Sequence, residues 1–275
     1  MRGRDSLKNR GKEAFENWYA ERFGKRWPAL RESLLAASPA YEYGEGLVKP
    51  YALDKASVLA ALSLDLPEGG LFLDACAAPG GKSLVIASRL KPGAALLSNE
   101  LSAARRRRLS NTLDDYLDPE KRGRVTVSGF DAAAAGGRKS EWGRFDAILL
   151  DAPCSSERHV IKSETALGWW SPARPRFLAQ RQWALLSSCF LMLREGGCLV
   201  YSSCALGEEE NDGVLQRLFE KYSSAALPEE AALGEGEKTR YGSIILPDTR
   251  GGMGPMYIAR VRKRRELTFI PGNNL

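Results

Sequence analysis

Five cysteines are the most reactive side chains in this sequence: Cys76, Cys154, Cys189, Cys198 and Cys204, beside a single histidine, His159. An odd count argues against a closed disulfide set. With no Cys-x-x-Cys pair and one histidine, no metal site is expected. The thiols read as reduced, and a reduced cysteine is by default a small buried apolar residue. Cys189, mid-helix in LLSSCFLML, and Cys198, in the strand GCLVY, fit that default. Cys154, in Asp151-Ala-Pro-Cys154, and Cys204, in Tyr201-Ser-Ser-Cys204, each follow an apolar run that reads as a strand. An accessible thiol with a lowered pKa is a nucleophile, and covalent catalysis splits one hard step into easier ones.

A second constellation is the run Asp74-Ala-Cys-Ala-Ala-Pro-Gly-Gly-Lys82-Ser83. A strand runs into a turn whose glycines let backbone approach a ligand, and the next helix offers free N–H groups to a carboxylate or phosphate. Gly81-Lys82-Ser83 ends like a P-loop, but that motif needs a glycine six residues before the lysine, and Cys76 stands there. Glu100, after the second strand, suits the two hydroxyls of a ribose. Asp131, after the third, is placed to meet an adenine amino group.

These residues need a frame that brings strand ends together. Strands are expected at Leu71–Ala75, Ala94–Asn99, Arg124–Ser128, Ala147–Leu150 and Cys198–Ser202. Helices are expected at Ala56–Leu64, Ser83–Leu90, Ala103–Leu117, Gln180–Leu193 and Glu208–Tyr222. Ser243–Leu246 and Met256–Val261 form a terminal hairpin, and Ala132–Gly137 reads as a loop. Repeated strand–helix units imply a parallel sheet covered on both faces, with ligands at the carboxyl ends of its strands. Residues 1 to about 45 read as amphipathic helix, with Pro28 opening a second short helix.

The 275 residues suffice for one large domain with a small appendage. Hydrophobic residues at 44% and charged residues at 27% match a soluble globular protein. No apolar run reaches the roughly 18 residues of a membrane span, and the N-terminus lacks the apolar core of a secretory signal, so a cytoplasmic protein is expected. The net charge of +6 includes two basic clusters, Arg105–Arg108 and Arg260, Arg262, Lys263, Arg264 and Arg265. Such clusters hint at a polyanionic partner.

The strings DACAAPGGKS, LLDAPCSSE and VYSSCAL together resemble the Nop/Sun-type RNA 5-methylcytosine methyltransferases, over about residues 45 to 265. The resemblance implies an α/β, Rossmann-like class I fold: a mostly parallel seven-stranded sheet with an antiparallel C-terminal hairpin, and S-adenosyl-L-methionine as cofactor. By resemblance, Cys76, Ala77, Ala78, Pro79, Gly80, Gly81 and Lys82 wrap the methionine part, Glu100 holds the ribose, Asp131 lies by the adenine and Arg105 assists. Asp151 lies between cofactor and target base, Cys204 is the nucleophile and Cys154 assists release of the methylated RNA. The usual threonine before the nucleophile is Ser203 here, and the usual serine after it is Ala205.

The chemistry agrees with those roles. Thiolate attack at cytosine carbon 6 makes carbon 5 able to take a methyl group, and a base must later remove the carbon 5 proton. The base must leave its stack, so single-stranded or looped RNA is the expected partner. Arg158, His159, Trp169 and Trp170 are candidate platforms, and Lys162, Arg174, Arg176 and Arg181 candidate phosphate contacts. For the Trp169-Trp170 pair, packing of a long loop is the favoured reading.

Gly254-Pro-Met-Tyr257 and residues 15 to 36 resemble the short subgroup that includes the animal mitochondrial ribosomal-RNA enzyme. Ribosomal RNA is the expected substrate for a monomer aided by a partner protein or the ribosomal particle. Transfer RNA and a non-catalytic ribosome assembly role are the alternatives. The expected division is a helical extension at 1–45, the catalytic domain at 46–265 and a tail at 266–275.

Overall fold

The computed structural model describes residues 10–230 and 235–264; the expected tail and Arg265 lie outside them. The chain opens with a helical hairpin, α1 (Gly11–Phe23) and α2 (Trp27–Leu35), with Pro28 in the first turn of α2. A two-stranded antiparallel ribbon follows, β1 (Tyr41–Tyr43) and β2 (Tyr51–Leu53). The helical expectation for residues up to 45 therefore fails beyond Leu35. The alternating aromatics of YEY and YAL pair as strands instead.

Strands and helices then alternate: α3 (Lys55–Leu62), β3 (Gly70–Asp74), α4 (Gly81–Ser88), β4 (Ala94–Asn99) and α5 (Ala103–Tyr116). A short α6 (Pro119–Gly123) precedes β5 (Val125–Ser128), α7 (Ala132–Ala135) and β6 (Phe145–Asp151). The expected loop at 132–137 begins with that turn of helix, because the Asp131 carboxylate caps it by accepting from the Ala133 N–H at 3.0 Å. Next come α8 (Glu157–Lys162), α9 (Glu164–Trp169) and the long α10 (Ala173–Met192), which starts seven residues before the expected Gln180 and runs directly into β7 (Leu193–Ser203). One 3-10 turn (Glu208–Glu210) and α11 (Asp212–Lys221) divide the helix expected from 208 to 222. The short β8 (Ala226–Glu229), β9 (Glu237–Lys238) and β10 (Ser243–Ile245) precede β11 (Met256–Lys263).

The main sheet has the order β5-β4-β3-β6-β7-β11-β10-β9, with β8 also paired to β11. Strands β3 to β7 are mutually parallel, and β11 returns antiparallel against β7 and β10. The sheet thus has nine strands rather than seven. The extra two, β8 and β9, are short edge segments without apolar alternation, and Pro228 is tolerated because β8 pairs on one side only. The chain winds outward through β3, β4 and β5, then crosses back to place β6 beside β3. The ends of β3 and β6, Asp74 and Asp151, therefore flank the topological switch point, where open α/β sheets bind ligands.

Apolar residues fill both faces of the sheet. A third cluster joins Phe15, Tyr19, Trp27 and Leu30 of the helical hairpin to Val160 and Trp170. Phe15 meets the Trp170 ring edge-on at 5.1 Å, and Tyr19 stacks on Trp27 at 5.3 Å. The two tryptophans separate sharply: Trp170 is 1% exposed and Trp169 72%. The segment expected as a long loop is helical, and burial of Trp170 seats it on α1. We predict that Trp170→Ala lowers the unfolding free energy by ~3–5 kcal/mol, the usual cost of truncating a buried aromatic. Urea denaturation measures this, and a loss below about 1 kcal/mol would contradict the packing described.

Candidate active site

The turn after β3 is built around Asp74. This buried carboxylate accepts from Ser83 Oγ at 2.6 Å, and Ser98 Oγ donates to Ser83 at 3.0 Å. Its other oxygen, Oδ1, is buried without a hydrogen-bond partner. Burial pushes the Asp74 carboxyl up to about 7. Gly80 has φ +121°, and a Cβ there would lie 3.0 Å from Thr112 on α5; one on Gly81 would lie 3.0 Å from the Tyr51 ring. The positive φ calls for glycine at Gly80, and a side chain at Gly81 would press on the Tyr51 ring, since the turn lies between α5 and β2. Beside it lies a cavity of about 250 Å³ lined by Tyr51, Ser57, Cys76, Ala77, Lys82 and Asp151, among others.

Glu100 is buried at the end of β4. Its Oε1 accepts from the Ser102 N–H at 2.8 Å, and its Oε2 is 3.2 Å from Arg105 Nη1. Arg105 also donates to the Ala78 carbonyl at 2.7 Å, tying the glycine turn to the second strand end. Asp131 is exposed at the end of β5.

Lys82 is the hinge of the site. Burial works against its charge, but Asp151 outweighs this and its pKa is raised. Its Nζ donates to Asp151 Oδ2 at 2.8 Å and to Ser57 Oγ at 3.3 Å. Ser202, opposite Asp151 in the β6–β7 register, donates to Asp151 Oδ1 at 2.9 Å. Beyond this group lie the two half-buried thiols. Ser156 Oγ stands 3.4 Å from Cys154 Sγ and 3.2 Å from Cys204 Sγ. Cys204 opens on a second pocket of about 400 Å³, lined also by Asp54, Ser57, Ser156, Arg158, His159 and Lys162. Ser57 lines both pockets.

Residues 61–262 match the family described as 16S rRNA methyltransferase RsmB/F. The chain belongs to this family. It is 33% identical over 239 residues to the mitochondrial tRNA (cytosine(34)-C(5))-methyltransferase of Danio rerio, covering 82% of this chain and 64% of that one. It is 37% identical over 233 residues to the ribosomal RNA small subunit methyltransferase F of Klebsiella pneumoniae, covering 80% of this chain and 46% of that one. The chain thus spans less than two-thirds of either relative's length. Among solved structures it is similar to NSun6 from Pyrococcus horikoshii with SFG, an analogue of S-adenosylmethionine: TM-score 0.67 at 25% identity, covering 81% of this chain and 55% of that one. A methyltransferase homolog from the same organism shares the fold, with TM-score 0.71 at 20% identity, covering 90% and 95%.

The RsmB/F frame gathers Cys76 to Lys82, Asp151, Cys154 and Cys204 at one crevice. Glu100 and Asp131 follow the adjacent strands β4 and β5, and Arg105 stands in the first turn of α5 beside Glu100. Several expected RNA contacts have other work. Arg158 donates to the Ser33 and Gly252 carbonyls at 3.1 and 2.8 Å, and Lys162 to the Ala36 carbonyl at 2.7 Å. Arg260 and Arg262 pair with Asp65 and Glu229, and Lys263 donates to the carbonyls of Phe190 in the last turn of α10 and of Leu193 at the start of β7. Arg260 and Arg262, basic in sequence, are thus paired in the fold, because β8 and the loop after α3 supply carboxylates. Arg105 and Arg106 are likewise anchored, leaving Arg107 and Arg108 of that run exposed.

Tyr51, Ser57, Ser156 and a buried carboxyl pair were not legible as site residues. Glu157 accepts from Tyr19 Oη at 2.5 Å, from Ser155 Oγ and from the Leu206 N–H at 3.1 Å. Glu210 accepts from the Ser155 N–H at 2.9 Å and from Gln182 at 2.8 Å. The two carboxyls hold the Cys154 loop from behind. Burial, then Glu157, pushes Glu210 up to about 7. Three donors favour the charge on Glu157, but burial outweighs them and raises it as well, so the pair holds a proton at neutral pH. A raised carboxyl pKa stabilises the fold below the unfolded value, and this is lost as pH climbs through the folded value. We therefore predict that Glu210→Gln, which cannot ionise, melts higher than the parent at about pH 8 and nearly level with it at about pH 5. Equal melting temperatures at both pH values would show that Glu210 is not the proton holder.

Proposed function

We propose that this protein is an S-adenosylmethionine-dependent RNA (cytosine-5)-methyltransferase acting through a covalent bond between Cys204 Sγ and cytosine carbon 6. The observation that carries this reading is the pair of thiols bridged by Ser156 beside a pocket that shares Ser57 with the cavity lined by Lys82 and Asp151. The cavity fits an amino-acid moiety. Asp74 Oδ1 is a buried acceptor awaiting a donor, and the first turn of α4 offers free N–H groups to a carboxylate. Glu100 then holds the ribose, oriented by Arg105, and Asp131 meets the adenine. When bound, S-adenosylmethionine supplies an electrophilic methyl group.

The chain's residues supply the rest. The Cys204 thiolate forms the S–C6 bond, and the electron pair displaced from the C5–C6 double bond makes carbon 5 nucleophilic. Asp151, held by Lys82 and Ser202, accepts a hydrogen bond from the exocyclic amino group and so orients the ring for attack at carbon 6. After carbon 5 is methylated its proton goes to a base, the double bond re-forms, and the electron pair of the S–C6 bond returns to Cys204. Cys154, one hydroxyl away, assists this release. We predict that Cys204→Ala abolishes methyl transfer and that Cys154→Ala accumulates a covalent protein–RNA adduct seen as a shifted band on a denaturing gel. Full activity of Cys204→Ala would refute the nucleophile assignment.

Ribosomal RNA is the substrate class we favour, in line with the family description and the Klebsiella relative. The zebrafish relative supports transfer RNA as the second reading. Among the described residues no helix is long and apolar enough to cross a membrane, and five free thiols fit a reducing compartment such as the cytoplasm. Bisulfite sequencing of total RNA with and without the gene separates the readings. We expect one ribosomal cytosine mark to disappear; loss of a tRNA mark selects the second reading, and an unchanged map argues for an assembly role.

A further inference from the structure

Ser156 is the one described residue other than glycine with a positive φ, 55°. A side chain in that left-handed region is held there by its surroundings, because Cβ crowds the backbone. Ser156 also stands at the N-cap of α8, where a serine hydroxyl ordinarily accepts from the free N–H groups of the first turn. Here it makes no such bond. Its Oγ instead lies 3.2 Å from Cys204 Sγ and 3.4 Å from Cys154 Sγ, with a long 3.5 Å contact to the Cys154 carbonyl. A strained backbone and a forgone helix cap both lead to one place, between two sulfurs.

We propose that Ser156 is a positioning residue for the nucleophile: its hydroxyl donates a hydrogen bond to the ionised Cys204 sulfur while its oxygen accepts from the Cys154 thiol. The inference rests on the reading of Cys204 as nucleophile. No net transfer is needed at Ser156, which keeps its own proton; the Cys204 proton leaves to solvent when the thiol ionises. Cys154 stays protonated, since the neighbouring Cys204 sulfur and then burial push its thiol up. The same donor steadies the negative sulfur when the S–C6 bond breaks. A hydroxyl donating to an anion makes a stronger bond than one between neutral groups. The charged and titratable groups around Cys204 are Lys82, paired to Asp151, on one side, and Asp54, Arg158, His159 and Lys162 across the pocket. None of them changes when the Ser156 hydroxyl is removed.

The test is Ser156→Gly in the full chain. Glycine suits the left-handed backbone, so the variant should melt at or above the parent temperature. Iodoacetamide labelling of Cys204, followed by peptide mass spectrometry across pH, reads the thiolate without RNA. We expect labelling at neutral pH to fall about tenfold, the scale of one hydrogen bond to a charged group. With RNA, kcat should fall by a similar factor at unchanged KM. Parent-like labelling of folded Ser156→Gly overturns the proposal, whatever Cys204→Ala does to methyl transfer. Full activity of Cys204→Ala overturns it from the other side, by removing the nucleophile that Ser156 would serve.

Discussion

The site depends on the ion pair between Lys82 and Asp151. Lys82 comes from the first turn of α4, and Asp151 is the last residue of β6. Their 2.8 Å contact spans the switch point of the sheet, and both side chains line the cavity beside the glycine turn. Neither charge is well solvated, and a buried ion left without its partner typically costs ~3–5 kcal/mol. Position is therefore enforced on both. Asp151 is further fixed by Ser202 on the neighbouring strand, and Lys82 by Ser57 on α3. Four separate segments converge on one pair of charges, and the pockets inherit their shape from that convergence.

Behind this pair the molecule uses buried polar groups to hold short loops that carry chemistry. Asp74, Ser83 and Ser98 brace the glycine turn beside the first cavity. Glu157, Glu210, Gln182 and Tyr19 brace the loop of Cys154, Ser155 and Ser156. A polar network in low dielectric is rigid when satisfied and costly when broken, which suits loops whose sulfurs must stay within a few ångströms of each other. The Tyr19 contact also explains why α1 and α2 matter to the site. The helical hairpin puts its own hydroxyl onto the carboxyl that holds the Cys154 loop.

Much of the frame was legible because its signals are local. Apolar runs ending in Asp74, Asn99 and Asp151 are strand signals, and DACAAPGGKS carries its own turn geometry in its glycines. Signals failed where structure rests on distant partners. The β1–β2 ribbon has three-residue strands, too short for a periodic pattern. The basic run at Arg260 to Lys263 is indistinguishable in sequence from a nucleic-acid patch, because Asp65 and Glu229 are remote along the chain. Trp169 and Trp170 are identical in type, and only the seat of α9 on α1 decides which one is buried.

The sequence by itself determined the kinds of chemistry available: a glycine turn after an acidic strand end, carboxylates after the following strands, and two thiols after apolar strands. It also narrowed five cysteines to two on physical grounds, while the choice of Cys204 over Cys154 came from family resemblance. Only the tertiary structure decided that those two thiols share one hydroxyl. The reason lies in parallel pairing. Strands β6 and β7 run side by side with Asp151 opposite Ser202, so loops some fifty residues apart in sequence leave the sheet at the same edge, and the left-handed turn at Ser156 closes the gap between them.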